Sequence, residues 1–331
     1  MTDELVTRDA TEQDRDAVVS LLTAAHGLSV RDAQAWDWLF RGRLGRYVVA
    51  DAGDRLAAQY ALLPVRVRHR GAVIDASLSL DTATHPDFGG RGLMTDLGLL
   101  AYERSGSDLV FGFPNPKSAW ILYNRLGWTE LAPFPLLVKP LAGIVRAVTG
   151  TRIRLPRRKS TLPVEQFDRF GSWADHIWDA NAERLGTSVV RDSDHLNWRF
   201  ADAPHTYERF VSYAGTDPAA YAVLRTVPWR RGRVSYVMEL AGLPGAESEA
   251  ADALGAAVAA ARDAGSAGVA AVATHRDPLL GTLRNAGFRP APARVRVGFS
   301  FGNRTIGGLS EHTDLKHLDN WYVTAGDFDH I

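Results

Sequence analysis

Hydrophobic positions along the chain recur with two periods. Val18, Leu21, Leu22 and Ala25 return at helical spacing, and Thr11-Glu12-Gln13-Asp14 before them reads as an N-cap with an acidic N3 residue. A second helix is predicted from near Ser29, carrying Trp36, Leu39 and Phe40. Short apolar runs then predict strands at Tyr47–Ala50, Arg55–Leu63 and Val65–His69, where valines alternate with arginines, and at Val73–Asp81. Leu93, Leu97 and Leu100 mark one helix face. Asp108–Phe113 reads as a buried strand stopped by Pro114, and a helix from about Pro116 to Leu126 ends at Gly127 in the C-cap position. Phe134–Val138 is expected to return as a last strand. With a short strand at Leu5–Arg8 in front and 55–69 counted as one strand, the predicted order β-α-α-β-β-β-α-β-α-β is a mixed-sheet α/β layer.

The same order returns in the second half. Tyr207–Tyr213, Ala220–Val227 and Arg233–Ala241 read as strands, Glu247–Ala264 as an alanine-rich helix, Gly268–Thr274 as a strand and Pro278–Ala286 as a helix. Arg294–Phe301 is expected to close the set as another strand. Leu126-Gly127-Trp128 is echoed by Ala286-Gly287-Phe288, an offset of 160, and Pro86 by Pro244, an offset of 158. A repeat of domain length predicts two copies of one fold, here over 1–138 and 165–331, joined by a linker over 139–164. Residues 139–159 hold seven basic side chains and no acidic one, which fits a solvated linker or a contact with an anionic ligand or RNA.

Composition narrows the chemistry. The chain of 331 residues has 46% hydrophobic and 23% charged residues, no apolar run of membrane-spanning length and an acidic start without a signal-peptide core, so a cytoplasmic protein is expected. Only four of its 38 basic residues are lysine, which with the abundant alanine suggests a GC-rich bacterial genome. The absence of cysteine excludes disulfides, thiolate zinc sites and cysteine nucleophiles. The ten histidines show no HExxH-type spacing, so no catalytic metal is expected. Zero net charge argues against wholesale nucleic-acid binding.

The candidate chemistry centres on Leu80-Asp81-Thr82-Ala83-Thr84-His85-Pro86-Asp87-Phe88-Gly89-Gly90-Arg91-Gly92-Leu93-Met94, a strand, a glycine loop and a helix start. Glycines let a ligand approach the main chain, and the helix start offers unpaired N–H groups suited to a pyrophosphate. In the second half the corresponding residues are Ala246-Glu247-Ser248-Glu249, whose carboxylates would repel phosphate, so that copy is expected to bind no cofactor.

The stretch His85-Pro86 with Gly90-Arg91-Gly92 resembles the acyl-coenzyme-A loop of the GNAT acyltransferase superfamily. Asn115 followed by Tyr123-Asn124-Arg125-Leu126-Gly127-Trp128 is similar to that superfamily's second motif, and Asp319–Asp327 to tails of bacterial tandem GNAT proteins. The resemblance implies two tandem GNAT-like domains, the second degenerate, and acyl transfer, most simply of acetyl, from coenzyme A to the amine of a small molecule. It also implies that the backbone of Thr82, Ala83 and Thr84 pairs with the pantetheine arm. The amides of Gly89, Gly90, Arg91, Gly92, Leu93 and Met94 would hold the pyrophosphate, with Asn115 near the thiol end. Tyr123 would protonate the departing thiolate. The family more often has Gln or Arg in place of Gly89 and Gly or Ala in place of Met94. Asp81 is the candidate base for the incoming amine. Asp327, in an acidic and aromatic tail, is the candidate for recognising a cationic amine in a cleft between the copies; the alternative is a tail strand packed on the second copy. Two other readings remain: transfer from an aminoacyl-tRNA, supported by the basic stretch, and an inactive acyl-CoA-binding or scaffold protein.

Overall fold

The computed structural model describes residues 5–26, 32–43, 46–142, 163–296 and 300–328. The first half contains β1 (Val6–Asp9), α1 (Arg15–His26), α2 (Ala33–Arg43), β2 (Arg46–Asp51), β3 (Leu56–His69), β4 (Ala72–Thr84), α3 (Leu93–Ser105), β5 (Leu109–Gly112), α4 (Pro116–Asn124), β6 (Thr129–Glu130) and β7 (Leu136–Pro140). The second half contains β8 (Val164–Gln166), α5 (Ser172–Asn181), β9 (Ser188–Val189), α6 (Ser193–Phe200), β10 (Glu208–Ala214), β11 (Asp217–Trp229) and β12 (Gly232–Gly242). It continues with α7 (Glu247–Asp263), β13 (Ser266–Val272), α8 (Leu280–Asn285), β14 (Arg289–Pro290), α9 (Ala293–Arg296) and β15 (Gly302–Thr305). Short 3-10 turns carry the tail from Gly307 to Asp327. Among the described residues no helix is long and apolar enough to cross a membrane. Most of the basic stretch, 143–162, lies outside the described residues, as does the predicted start of α2 near Ser29.

Two mixed sheets form, ordered β1-β2-β3-β4-β5-β15-β6, with β9 also on β3, and β14-β7-β13-β12-β11-β10-β8. Their membership runs across the expected boundaries. Leu136–Pro140, expected to finish the first sheet, pairs with β13 in the second. The expected strand Arg294–Phe301 is instead a helical turn at Ala293–Arg296, residues outside the description, and then β15, which enters the first sheet between β5 and β6. Each half therefore closes its sheet with a strand from the other. The segment Leu131–Pro135 makes one crossing, with Phe134 buried in the core that the halves share.

Each sheet is covered on one face by its own helices. On the first, Leu97, Ala101 and Tyr102 of α3 and Leu122 of α4 pack against Tyr60, Leu62 and Val110. On the second, Ala250, Ala253, Ala257 and Ala261 of α7 are buried, and side chains this small bring the helix close to its sheet. The remaining faces bury a common core that draws on α1, α2, α5, α6 and the tail, so the two halves share one apolar interior.

Candidate functional site

The loop predicted to bind a ligand lies beside a gap in the first sheet. Parallel β4 and β5 pair only over Ala76–Ser79 and Leu109–Gly112, whereas β4 runs on to Thr84. Three local features part the strands. Gly112 sits at the vertex, where a Cβ would lie 2.9 Å from the carbonyl oxygen of Ser79. Beyond it Phe113 stacks on Phe328 of the tail (3.8 Å between centroids) and on Phe301 (5.1 Å), and Pro114 ends the run. On the β4 side a bulge intervenes: Ala61 faces Leu80 and Gln59 faces Ala83, leaving Asp81 and Thr82 together opposite Tyr60. Asp81 is buried with φ of 47°, and its carbonyl accepts a 2.6 Å hydrogen bond from Gln59 Nε2. From Leu80 to Thr84 the strand has β3 on one edge and no described strand on the other. An extended amide chain can add there as a strand would.

The loop continues from the end of β4. His85 accepts the amide of Asp87 on Nδ1, shaping the turn at Pro86–Phe88. Phe88 is buried and anchors the loop, and the guanidinium groups of Arg91 (4.8 Å) and Arg55 (5.5 Å) lie over its ring. Gly90 and Gly92 both have left-handed φ, 76° and 79°, which folds the main chain into a concave nest of N–H groups before α3. The amides of Gly90, Arg91, Gly92, Leu93 and Met94 have no partner among the described residues. Gly89 departs from expectation, since its amide is turned back to the carbonyl of Pro86 (3.3 Å). Met94 is partly buried and packs against the apolar cluster that includes Phe88 and Leu97.

At the other end of the gap, Asn115 caps α4, its Oδ1 accepting the amides of Lys117 (2.9 Å) and Ser118 (3.0 Å). Tyr123, on the last turn of that helix, lies against β15: a Cβ on Gly302 would stand 2.9 Å from its ring. Its hydroxyl is 2.6 Å from Ser300 Oγ. Burial pushes the Tyr123 phenol up to about 12, with the Ser300 hydrogen bond opposing, so it carries its proton at neutral pH.

Behind the gap is a narrow, partly open cleft between the halves, with a cavity volume of only about 30 Å³. Its floor is Leu78 and Leu80 of β4 and Phe111 of β5, the place where the strands part. Trp38 and Trp198, stacked at 4.8 Å, form a wall. His195, Arg199 and His205 bring polarity, and Gly326–Phe328 close one side. Arg199 holds that part of the tail through the carbonyls of Gly326 and Phe328. Asp327 reaches the cleft but is not available as a recognition carboxylate. Its Oδ2 accepts from Arg191 (2.7 Å) and from the Thr324 amide (2.8 Å), and its side chain is only 6% exposed. A carboxylate already paired with a buried guanidinium has little left to offer an incoming cation.

The second half has the same parting of strands, and the tail fills it. Pairing of β12 with β13 ends at Val237 and Ala271, while β12 continues to Gly242. Glu239 stands 158 residues after Asp81, the offset already seen between Pro86 and Pro244. It binds Arg191 Nε (3.1 Å), the Tyr322 hydroxyl (2.9 Å) and the Thr324 hydroxyl (2.9 Å). Gly326 sits where a Cβ would be 3.0 Å from the carbonyl of Met238. Following β12, the loop has Glu247 and Glu249 in the first turn of α7, and their charge disfavours a phosphate there.

Residues 6–131 match the model of the acetyltransferase (GNAT) domain. No curated protein sequence matches the chain. Among solved structures, a GCN5-related N-acetyltransferase from Anabaena variabilis superposes with a TM-score of 0.64 at 13% identity, over 92% of this chain and 73% of that one. The N-myristoyltransferase of Saccharomyces cerevisiae, solved with bound myristoyl-CoA and inhibitors, gives 0.63 at 12% identity, over 98% and 86%. This is a GNAT fold. Such low identities speak for architecture, and a GNAT-like layer accounts for both halves of the chain, with only the first retaining the glycine nest. The GNAT loop, the bulged β4 and Tyr123 all belong to residues singled out in the sequence. Gly112, Ser300, Gly302 and the Arg191–Glu239 pair do not. Of these, Gly112 carries a visible signal, a glycine inside an apolar strand.

Proposed function

We propose that the first half binds an acyl-coenzyme A, with its pantetheine along Leu80–Thr84 and its pyrophosphate on the amides of Gly90–Met94, and transfers the acyl group to an amine held in the cleft. The observation that carries this reading is the open β4 edge leading directly into five amides without partners among the described residues. The amine attacks the thioester carbonyl, its surplus proton passes to Asp81, the carbon–sulfur bond breaks, and the leaving thiolate takes a proton from Tyr123. Holding the two reactants together supplies much of the acceleration. Asn115, whose Oδ1 caps α4, would offer its side-chain NH₂ to the thiol end.

The cleft also indicates the acceptor. Its walls are mainly Trp, Leu, Val and Phe, and its one lining carboxylate among the described residues is engaged by Arg191. An amine with an apolar or aromatic body suits it better than a polycation does. Calorimetric titration with acetyl-CoA, and with a longer acyl-CoA, tests the reading. Gly92→Val, at a φ that a β-branched residue resists, should weaken either ligand on the order of tenfold or more. Absence of binding to the unaltered protein would sink the proposal, and binding without turnover over a panel of apolar amines would favour a cofactor-binding scaffold.

A further inference from the structure

The end of the β3–β4 hairpin meets the tail at a group of side chains that acyl transfer does not use. His69, the last residue of β3, is 3% exposed. Its Nδ1 lies 2.8 Å from Thr187 Oγ1, next to β9. Its Nε2 lies 3.0 Å from His312 Nδ1 and 3.9 Å from Asp314 Oδ2, and the three ligand atoms are all within 4.8 Å of one another. His312 and Asp314 follow His69 by 243 and 245 positions.

We propose that His69 Nε2, His312 Nδ1 and Asp314 Oδ2 bind a divalent transition metal of the zinc type, clamping the tail to the first sheet. Two imidazole nitrogens and one carboxylate oxygen suit such an ion. Ligands about 2.0–2.2 Å from a tetrahedral zinc stand roughly 3.3 Å apart, so the separations of 3.0 and 3.9 Å need shifts of about half an ångström. Thr187 supplies the outer partner such sites require: with its proton on Nδ1 toward Thr187, His69 presents the Nε2 lone pair inward. Arg70 grips Asp314 through Nε (2.9 Å) and a terminal nitrogen (3.0 Å), fixing the carboxylate while Oδ2 keeps a second lone pair. Without metal, the close approach of the two imidazoles needs a proton between them. The ion takes that proton's place when His312 carries its own on Nε2. His312 and Asp314 are part-exposed, leaving solvent access for a water as fourth ligand.

The clamp would be structural. It lies on the 3-10 turns Gly307–Glu311 and Thr313–Lys316, upstream of the residues that fill the second strand gap and wall the cleft. The test is titration of the chelator-stripped full chain with zinc by calorimetry, and with cobalt(II) by visible absorption. The expected result is one ion per chain with a four-coordinate cobalt spectrum. His312→Ala should raise the dissociation constant by more than the roughly 10–100-fold that loss of an outer partner costs, and Thr187→Val should fall within that range. His275→Ala, at a 76%-exposed side chain elsewhere, should change nothing. Since His69→Ala could unfold the chain, the deciding variants are His312→Ala and Asp314→Asn, both at part-exposed positions. Absence of stoichiometric binding, or binding unaltered in His312→Ala, would overturn the proposal and leave a hydrogen-bonded histidine pair.

Discussion

At the scale of single residues, Tyr123 and Asp277 show how burial sets chemistry. Tyr123 is held on Gly302 and Ser300 by packing that makes its hydroxyl a poor acid at rest and a donor throughout the neutral range. Tyr123→Phe keeps the ring and should lower kcat on the order of 100-fold, with the acyl-CoA dissociation constant nearly unchanged. Steady-state kinetics beside calorimetry would separate this from a packing role, in which kcat stays put. Asp277 belongs to the second half, in the same buried neighbourhood as Glu239, Arg191 and Tyr322. Burial pushes its carboxyl up to about 7, against the hydrogen bond from the Leu279 amide. A carboxyl raised in the folded state disfavours folding once it must ionise. The penalty is absent below the unfolded value near 4, grows as pH rises to about 7 and is constant above, at most on the order of 4 kcal/mol. Denaturant melts should therefore show stability falling between about pH 4 and 7. Asp277→Asn, which keeps an acceptor for Leu279, should remove that slope. Charge pairing at this scale is illegible in the sequence: Asp327 looks like a free tail acid until Arg191, 136 residues away, is found beside it.

Elements are more legible in the sequence than their junctions. Periodicity locates nearly every strand and helix of the repeat, because alternation and helical spacing are local consequences of burying one face. It misses the bulge. Leu78 and Leu80 face the shared core, and so does Ala83, because Asp81 and Thr82 occupy the place of one residue. The extra residue changes the parity of the strand, and no simple alternation encodes it. Periodicity also misses α5 and α6, whose apolar residues sit among charged ones on short helices. Gly112 gives the test at this scale. Gly112→Ala forces a Cβ against the Ser79 carbonyl, so β4 and β5 must move apart below the gap. Loss of about 1–3 kcal/mol of stability is expected in thermal and denaturant unfolding, with weaker acyl-CoA binding.

For the whole molecule, the decisive feature is the reciprocal transfer of β7 and β15. β7 is recognisable as strand-like from composition, whereas β15 (Gly-Asn-Arg-Thr) is not and lies just beyond the strand expected at Arg294–Phe301; in either case an apolar pattern names a face to bury and not a partner to join. The repeat therefore suggests two independent units, whereas each sheet depends on the other half. A fragment ending at residue 142 lacks β15 and leaves β5 and β6 unjoined. It should give no cooperative unfolding transition alone, and adding residues 163–331 as a separate chain should restore one. A cooperative fragment would show that the exchange is dispensable.

The exchange also orders events during synthesis. Tyr123 is made early, yet the glycine on which its ring rests and the serine that binds its hydroxyl are made some 180 residues later. A nascent chain therefore cannot seat Tyr123 or finish its first sheet until that distant strand has emerged. The long wait for a distant strand makes completion of the first sheet a slow, chaperone-exposed step of maturation.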